Sequence, residues 1–293
     1  MDTVVREMAC KSALHRHNSK WLPYKYDINV YRGCAHQCIY CYALYSHAYI
    51  GGGSFHREVY VKTNIAAVLQ KELRRFRAET VNLGGVTDSY QPAERDYKLM
   101  RKVLPLLADH RVPITVCTKS PLILRDIDLI KQVDAAGGAK IAFTITTLDG
   151  TVAKLIEPNA PSSSARMDAV RTLRENGITC GVHLMPIIPY LTSDEDDIEA
   201  VFSAARQADA SYVLAGALNL KGETRPLFMD SVRQSFPSEY GLIRALYSDK
   251  AAYRAYKKNL YTVLDKLRKK YSLPIYERIP ARQEPEQLSF WDA

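Results

Sequence analysis

The 293-residue chain lacks an uncharged apolar run of the length needed to cross a bilayer. Met1 to Lys20 interleaves charges with short apolar residues and lacks a signal-peptide core. Of its six cysteines, Cys10, Cys117 and Cys180 lie scattered, which is not the pattern of a secreted disulfide framework. No internal repeat and no long low-complexity segment is visible, nor is a cobalamin-binding domain. Gly51-Gly52-Gly53 is not followed by the Lys-Ser or Lys-Thr of a phosphate-cradling helix start, so a flexible loop is expected there. These absences argue against a membrane-spanning protein and a secreted disulfide scaffold. A cytoplasmic protein with no membrane partner is the expectation.

The chain's most informative stretch is Arg32-Gly33-Cys34-Ala35-His36-Gln37-Cys38-Ile39-Tyr40-Cys41-Tyr42. Three cysteines fall within eight residues, with gaps of three and then two. Thiolate is a soft ligand that suits iron–sulfur clusters or zinc. A structural zinc site wants four ligands, and His36 or His47 would have to supply the fourth. A four-iron cubane on Cys34, Cys38 and Cys41 keeps one iron open. That opening lets it hold a small molecule and pass it an electron.

The composition, 47% hydrophobic and 25% charged, suits a globular core at a length of one large domain or two small ones. A lead-in over residues 1–27 carries Trp21, Pro23, Tyr24 and Tyr26 to pack across the edge of the core. A short strand, Asp27 to Arg32, leads directly into the cysteines. A helix over Asn64 to Arg77 has a basic outer face. Strand Thr80 to Val86 precedes a helix that runs to about Asp109, and strand Pro113 to Thr118 follows. Ser120-Pro121 starts a helix to Val133, which Gly137-Gly138 ends before strand Lys140 to Thr146. A helix from Ser162–Ser164 to Glu175 closes at Asn176-Gly177 before strand Ile178 to Ile188. Ser193 is read as the cap of an acidic-start helix to Gln207, and Tyr212 to Leu218 is a sixth strand. Six strands alternating with helices predict an α/β fold, a partial (β/α)6 TIM-like barrel over 28–220. Helices over 221–278 form a C-terminal extension, and 279–293 is a mobile tail.

The motif and its context, Tyr31 to Ala43, resemble the radical S-adenosylmethionine (SAM) superfamily, in the branch related to spore photoproduct lyase and labelled DNA repair photolyase-like. The resemblance covers roughly 28–220. It implies a [4Fe–4S] cluster on Cys34, Cys38 and Cys41, SAM on the open iron, and reductive cleavage to methionine and a 5′-deoxyadenosyl radical. Gly84-Gly85 resembles the turn that receives the SAM amino group. The family's usual glutamate is Val86 here, leaving Thr87 and Asp88 as substitute oxygen acceptors. Thr118-Lys119 resembles a Thr-Lys pair that places an ammonium at the SAM carboxylate. Thr144 and Thr146 share one strand face and offer hydroxyls to the ribose or carboxylate. Arg166, after Glu157-Pro158, is a further SAM or substrate contact, and Met185 with Ile187 walls the adenine. His183 is not assigned as a base.

Tyr40 and Tyr42 match tyrosines that the resemblance implies in relaying a hydrogen atom. The segment aligned with the lyase's donor cysteine, Gly84 to Asp88, contains none, so the lyase's substrate is not inherited. Cys117 is a minor candidate for a donor, its strand face being unassigned. A net charge of +8 permits a nucleic-acid partner, and the basic helix Lys250 to Tyr271 permits a phosphate contact. Gln287-Leu288-Ser289-Phe290-Trp291 resembles peptides that dock on the sliding clamp. An external electron donor is also implied. A nucleic-acid base or lesion is the favoured substrate, a peptide or small metabolite the second, and a non-catalytic iron–sulfur or zinc DNA-binding protein the rival from another class.

Overall fold

The computed structural model describes residues 3–275 except 20, 21, 52 and 78. Trp21 and the stretch Gln287–Trp291 lie outside the described residues. The chain begins with β1 (Val4–Met8), β2 (Leu14–Arg16), β3 (Tyr26–Ile28) and β4 (Tyr31–Arg32), then a 3-10 helix over Tyr42–Ile50 and β5 (Glu58–Lys62). Next come α1 (Ile65–Leu73), β6 (Val81–Leu83), α2 (Glu94–Tyr97), α3 (Leu99–Asp109) and β7 (Ile114–Thr118). A 3-10 helix over Pro121–Asp126 leads into α4 (Ile127–Ala136), β8 (Ala139–Thr144), α5 (Gly150–Ile156) and α6 (Ser163–Glu175). The chain then passes through β9 (Thr179–Ile187), α7 (Glu195–Gln207), β10 (Val213–Ala217), α8 (Thr224–Ser235), α9 (Pro237–Ser248) and α10 (Lys250–Tyr271).

The main sheet has the order β10-β9-β8-β7-β6-β3-β2. Six neighbouring strands, β3 and β6 to β10, run parallel, and β2 adds an antiparallel edge on β3. This is the open, partial barrel expected, with no closure between β10 and β2 among the described residues. Ser162 caps α6 by accepting from Ala165 N–H at 3.2 Å, and Ser120 accepts from Leu122 N–H. Ser193 does not cap α7. Asp194 occupies that place, and the Ser193 hydroxyl accepts from Tyr190 N–H.

The lead-in contributes strands of its own. Its β1 pairs in parallel with β5, which also pairs with β4, forming a second sheet in the order β1-β5-β4. The sequence hides this sheet because β1 is mostly exposed and does not alternate apolar with polar residues, and its partner lies more than fifty residues away.

Strand alternation separates two faces. Ile28, Leu83, Val116, Ile141, Val182 and Val213 point toward the helices and are buried to 2% exposure or less. The opposite face is polar or small. Asp27, Asn82, Thr115 and Lys140 stand side by side in register, with Cys117, Ala142 and Gly181 above them. Asn82 Nδ2 donates to Asp27 Oδ1 at 2.8 Å, and Thr115 Oγ1 donates to Asn82 Oδ1 at 3.1 Å. Closed eight-stranded barrels fill that face with branched apolar side chains. Here it is built for polar contact.

Candidate active site

The three cysteines lie on a loop between β4 and the Tyr42–Ile50 helix, and the loop is fixed from several sides. Gly33 takes φ +76°, and a Cβ there would stand 2.1 Å from Glu58 O, so only glycine fits. Cys34 N–H donates to Phe55 O, and Ile39 N–H to Ile156 O. Gln91, fully buried, accepts from Ala35 N–H at 3.0 Å and donates to Gly33 O at 3.1 Å. Asn159 donates to the carbonyls of Ala35 and His36, and the Thr224 hydroxyl of α8 to Cys41 O.

Burial raises the pKa of all three thiols, and it pushes Cys38 up to about 12. Thiols set this deep stay protonated until a metal displaces the proton. Backbone N–H groups of His36 and Ala43 face Cys34 and Cys41 respectively and favour their thiolates. Neither candidate fourth ligand is presented to them. His36 Nε2 meets Asp88 Oδ2 at 3.0 Å, and His47 packs edge-on against Phe55 and Tyr60. Among the described residues no three His, Cys, Asp or Glu side chains converge on a single-ion site. A cubane needs no such convergence, because each thiolate ligates a different iron. The donor set fits a cluster with one iron left to an exogenous ligand.

Asp88 is not a free acceptor. Its carboxylate accepts from Tyr90 N–H and Thr118 Oγ1 on one oxygen, and from Lys119 N–H opposite His36 on the other. Burial alone would raise its pKa, but His36 and these donors hold it down to about 2. Asp88 therefore ties the cysteine loop to the end of β7. Thr87 Oγ1 donates to Gly33 O and accepts from Gln91. Gly84 has φ +96°, and a Cβ there would stand 2.9 Å from Thr87 O. A Cβ at Gly85 would stand 2.4 Å from Asp27 Oδ1, so the missing side chain makes room for Asp27. The oxygen beside the glycine turn thus comes from β3. A polar Asp27-x-Asn29 alternation before the cysteines was its sequence signal. Gln91 left no comparable local signal.

Glu157 is the hub of a buried charge network. Its carboxylate accepts from the Tyr40 hydroxyl and from Thr146 Oγ1, and it pairs with Arg166 Nη2 at 2.5 Å and Lys119 Nζ at 4.0 Å. Burial would raise its pKa, yet Lys119 and Arg166 outweigh that and lower it. Arg166 is 1% exposed, and its other nitrogens donate to Thr144 O and Pro161 O. The contact expected of Arg166 with a ligand is made with Glu157 instead. Tyr40 is likewise held inside, with Lys119 Nζ 5.5 Å above its ring. Tyr42 is different. The residue is 67% exposed, while its hydroxyl donates to Gly85 O just past the end of β6. Burial would discharge Lys119, but Cys38 and Glu157 keep its pKa above that of an ordinary lysine.

Thr144 and Thr146 part company. Thr146 serves Glu157, whereas Thr144 Oγ1 lies 3.3 Å from Cys117 Sγ on the polar face. Met185 stands at the end of β9, half-buried, its sulfur 3.7 Å from where a Cβ of Gly216 would be.

A partial barrel carrying a three-thiol loop at the C-terminal ends of its strands defines a class of cluster-dependent enzymes. A family model described as the radical SAM superfamily matches residues 28–202. The chain belongs to the radical SAM superfamily, and membership brings SAM and a [4Fe–4S] cluster as its cofactors. An uncharacterized protein of Mycobacterium tuberculosis is 36% identical over 247 residues, covering 82% of this chain and 73% of its own. An uncharacterized protein of Methanocaldococcus jannaschii is 34% identical over 232 residues, covering 79% and 83%. Among solved structures, spore photoproduct lyase shares the fold at a TM-score of 0.60 and 17% identity, over 80% of this chain. The chain spans 66% of that structure's length.

Proposed function

We propose that the chain holds its cluster on Cys34, Cys38 and Cys41, cleaves SAM reductively there, and turns the resulting radical on a nucleic-acid base or lesion. The observation that carries the first part is the braced loop with three thiols and, among the described residues, no fourth protein ligand. The cluster, when bound, supplies an electron and an open coordination site. An external one-electron donor must reduce it.

The chain's own residues do the rest. Lys119 offers an ammonium beside Cys38, suited to an anionic group such as a carboxylate. Glu157 and Arg166 hold Lys119 and Tyr40 in place from behind. Asp88 fixes the loop against β7 through His36, Thr118 and Lys119 N–H. Asp27, beside Gly85, presents a carboxylate to a cationic group.

Support for a nucleic-acid substrate comes from three features. The net charge is +8. Tyr42, Tyr45 and Tyr49, at 67%, 47% and 74% exposure, stand on the helix that follows the cysteines, and exposed aromatic rings stack on unpaired bases. The lyase whose fold the chain shares has been solved with a dinucleoside spore photoproduct bound.

The test is anaerobic reconstitution, addition of dithionite and SAM, and detection of 5′-deoxyadenosine by mass spectrometry. The expected result is 5′-deoxyadenosine that disappears in Cys34→Ala, Cys38→Ala and Cys41→Ala. A reconstituted protein that carries zinc and does not bind SAM would sink the reading. Nucleic-acid binding that weakens steeply with salt would support the substrate class, and no binding at low salt would remove it.

A further inference from the structure

Cys117 and Cys180 both sit in strands, and alternation sends them to opposite faces. Cys180 joins the apolar layer under the helices with 0% exposure. Cys117 points the other way, into the polar concave face, deeply set but with surface open to that concavity. Two residues further along the same strand end stands Lys119, at the proposed SAM site. The Tyr42 hydroxyl, which reaches from the helix after the cysteines to Gly85 O past the end of β6, lies within electrostatic range of Cys117.

The thiol does not stand alone. Its Sγ lies 3.3 Å from Thr144 Oγ1 and 3.3 Å from His183 Nδ1. His183 Nε2 in turn lies 3.3 Å from the Tyr212 hydroxyl. Gly181 permits this arrangement, because a Cβ there would stand 2.4 Å from the Tyr212 ring. The glycine lets Tyr212 lean across β9 and steady the imidazole. Burial and the neighbouring Lys119 and Lys140 keep His183 neutral, so Nδ1 can accept the S–H. The cluster therefore holds a neutral thiol, oriented, on the one face of the sheet where a radical would be made.

We propose that Cys117 is the hydrogen-atom donor to carbon radicals formed over the concave face. This rests on the radical reading above. In the step, the S–H bond of Cys117 breaks homolytically and a C–H bond forms on the carbon radical. Carbon is reduced by one electron and sulfur is oxidised by one, leaving a thiyl radical. One electron from the external reductant that the cluster already requires, with one proton from solvent, restores the thiol. His183, Thr144 and Tyr212 are positioning residues. Serine at 117 would keep a hydroxyl hydrogen bond to His183, but an alcohol O–H is far too strong to give up its hydrogen to a carbon radical.

The test uses the full-length reconstituted protein with SAM and dithionite in D2O, with the 5′-deoxyadenosyl radical itself as the carbon-radical probe. The exchanged S–D of Cys117 delivers one deuterium to the 5′ carbon, read as a one-mass-unit gain in 5′-deoxyadenosine. Loss of that gain in Cys117→Ser and in Cys117→Ala, with the SAM-binding affinity of wild type, is the expected result. His183→Gln should reduce the deuterated fraction without abolishing it. Undiminished deuteration in Cys117→Ser and Cys117→Ala would overturn the proposal and leave the radical reading standing. No 5′-deoxyadenosine from wild type would overturn both.

Discussion

Two ionisable residues, the buried Glu157 and the part-buried His183, set the sharpest expectations at the scale of the single side chain. Glu157 answers two cations, Arg166 and Lys119, in a place without solvent. Removing its charge leaves both uncompensated, which costs about 3 kcal/mol in buried pairs of this kind. Glu157→Gln is therefore expected to lower the free energy of unfolding of the cluster-free protein by about that amount, measured in a urea titration. His183 works through pH. Burial lowers its folded pKa to about 4, against about 6.5 in the unfolded chain. Between these values the unfolded state binds the extra proton, so stability falls as pH drops from about 6.5 to 4. The full shift corresponds to about 3 kcal/mol. Wild type should lose more stability than His183→Gln over that interval in denaturant titrations, and parallel curves would refute the assignment.

At the scale of elements, the two faces of β9 make opposite demands on neighbouring residues. Cys180 and Val182 fill the helix side, while Gly181 must stay bare for Tyr212. Gly181→Ala places a methyl inside the Tyr212 ring and is expected to cost about 1–3 kcal/mol, read as a lowered Tm. Tyr212→Leu in the same background should recover part of it. Alternation of this kind explains what the sequence made legible. Runs such as Ile114 to Thr118 and Ala139 to Thr144 carry β-branched outward residues, and glycine or asparagine at their borders marks the helix ends. Those signals are local, and the six parallel strands followed from them. The cysteine loop was legible for the same reason, since three ligands from one stretch carry their own spacing. What stayed hidden depends on contacts distant in sequence. The β1-β5 pairing, the Gln91 brace and the approach of Asp27 to Gly85 each join residues more than fifty positions apart. Roles for Arg166 and Asp88 were drawn toward a ligand because nothing in the sequence reveals that Glu157 and His36 already occupy them.

Charge is distributed across the whole molecule in a way that redirects the nucleic-acid question. The helix α10 looks uniformly basic, yet its C-terminal half is tied to α7. Lys266 pairs with Glu195 at 2.5 Å, Lys270 pairs with Glu199, and Arg268 pairs with Asp265. The two lysines join the last helix to α7, where Glu195 and Glu199 offset their charge, whereas Arg268 pairs within α10 itself. The N-terminal half differs. Arg254, Lys257 and Lys258 form no ion pair among the described residues, and Lys257 lies 5.0 Å from the centre of the Tyr253 ring. Tyr253 stacks on Tyr256, and Tyr261 reaches toward Gly216 at the end of β10. Aromatic rings and unpaired cations thus meet near the strand ends, where the cluster loop also lies. If a single strand follows this route, each neutralised phosphate contact contributes about 0.7 unit to the slope of log K against log salt. Replacing Arg254, Lys257 and Lys258 by alanine together should therefore flatten the slope for a single-stranded oligonucleotide by about two units. Lys266→Ala with Lys270→Ala should leave the slope unchanged and change stability little, as solvent-screened ion pairs do. Fluorescence anisotropy across a salt series reads both. Equal flattening by the two sets would place the nucleic acid along the full helix, and no flattening by the first set would remove α10 from the binding path.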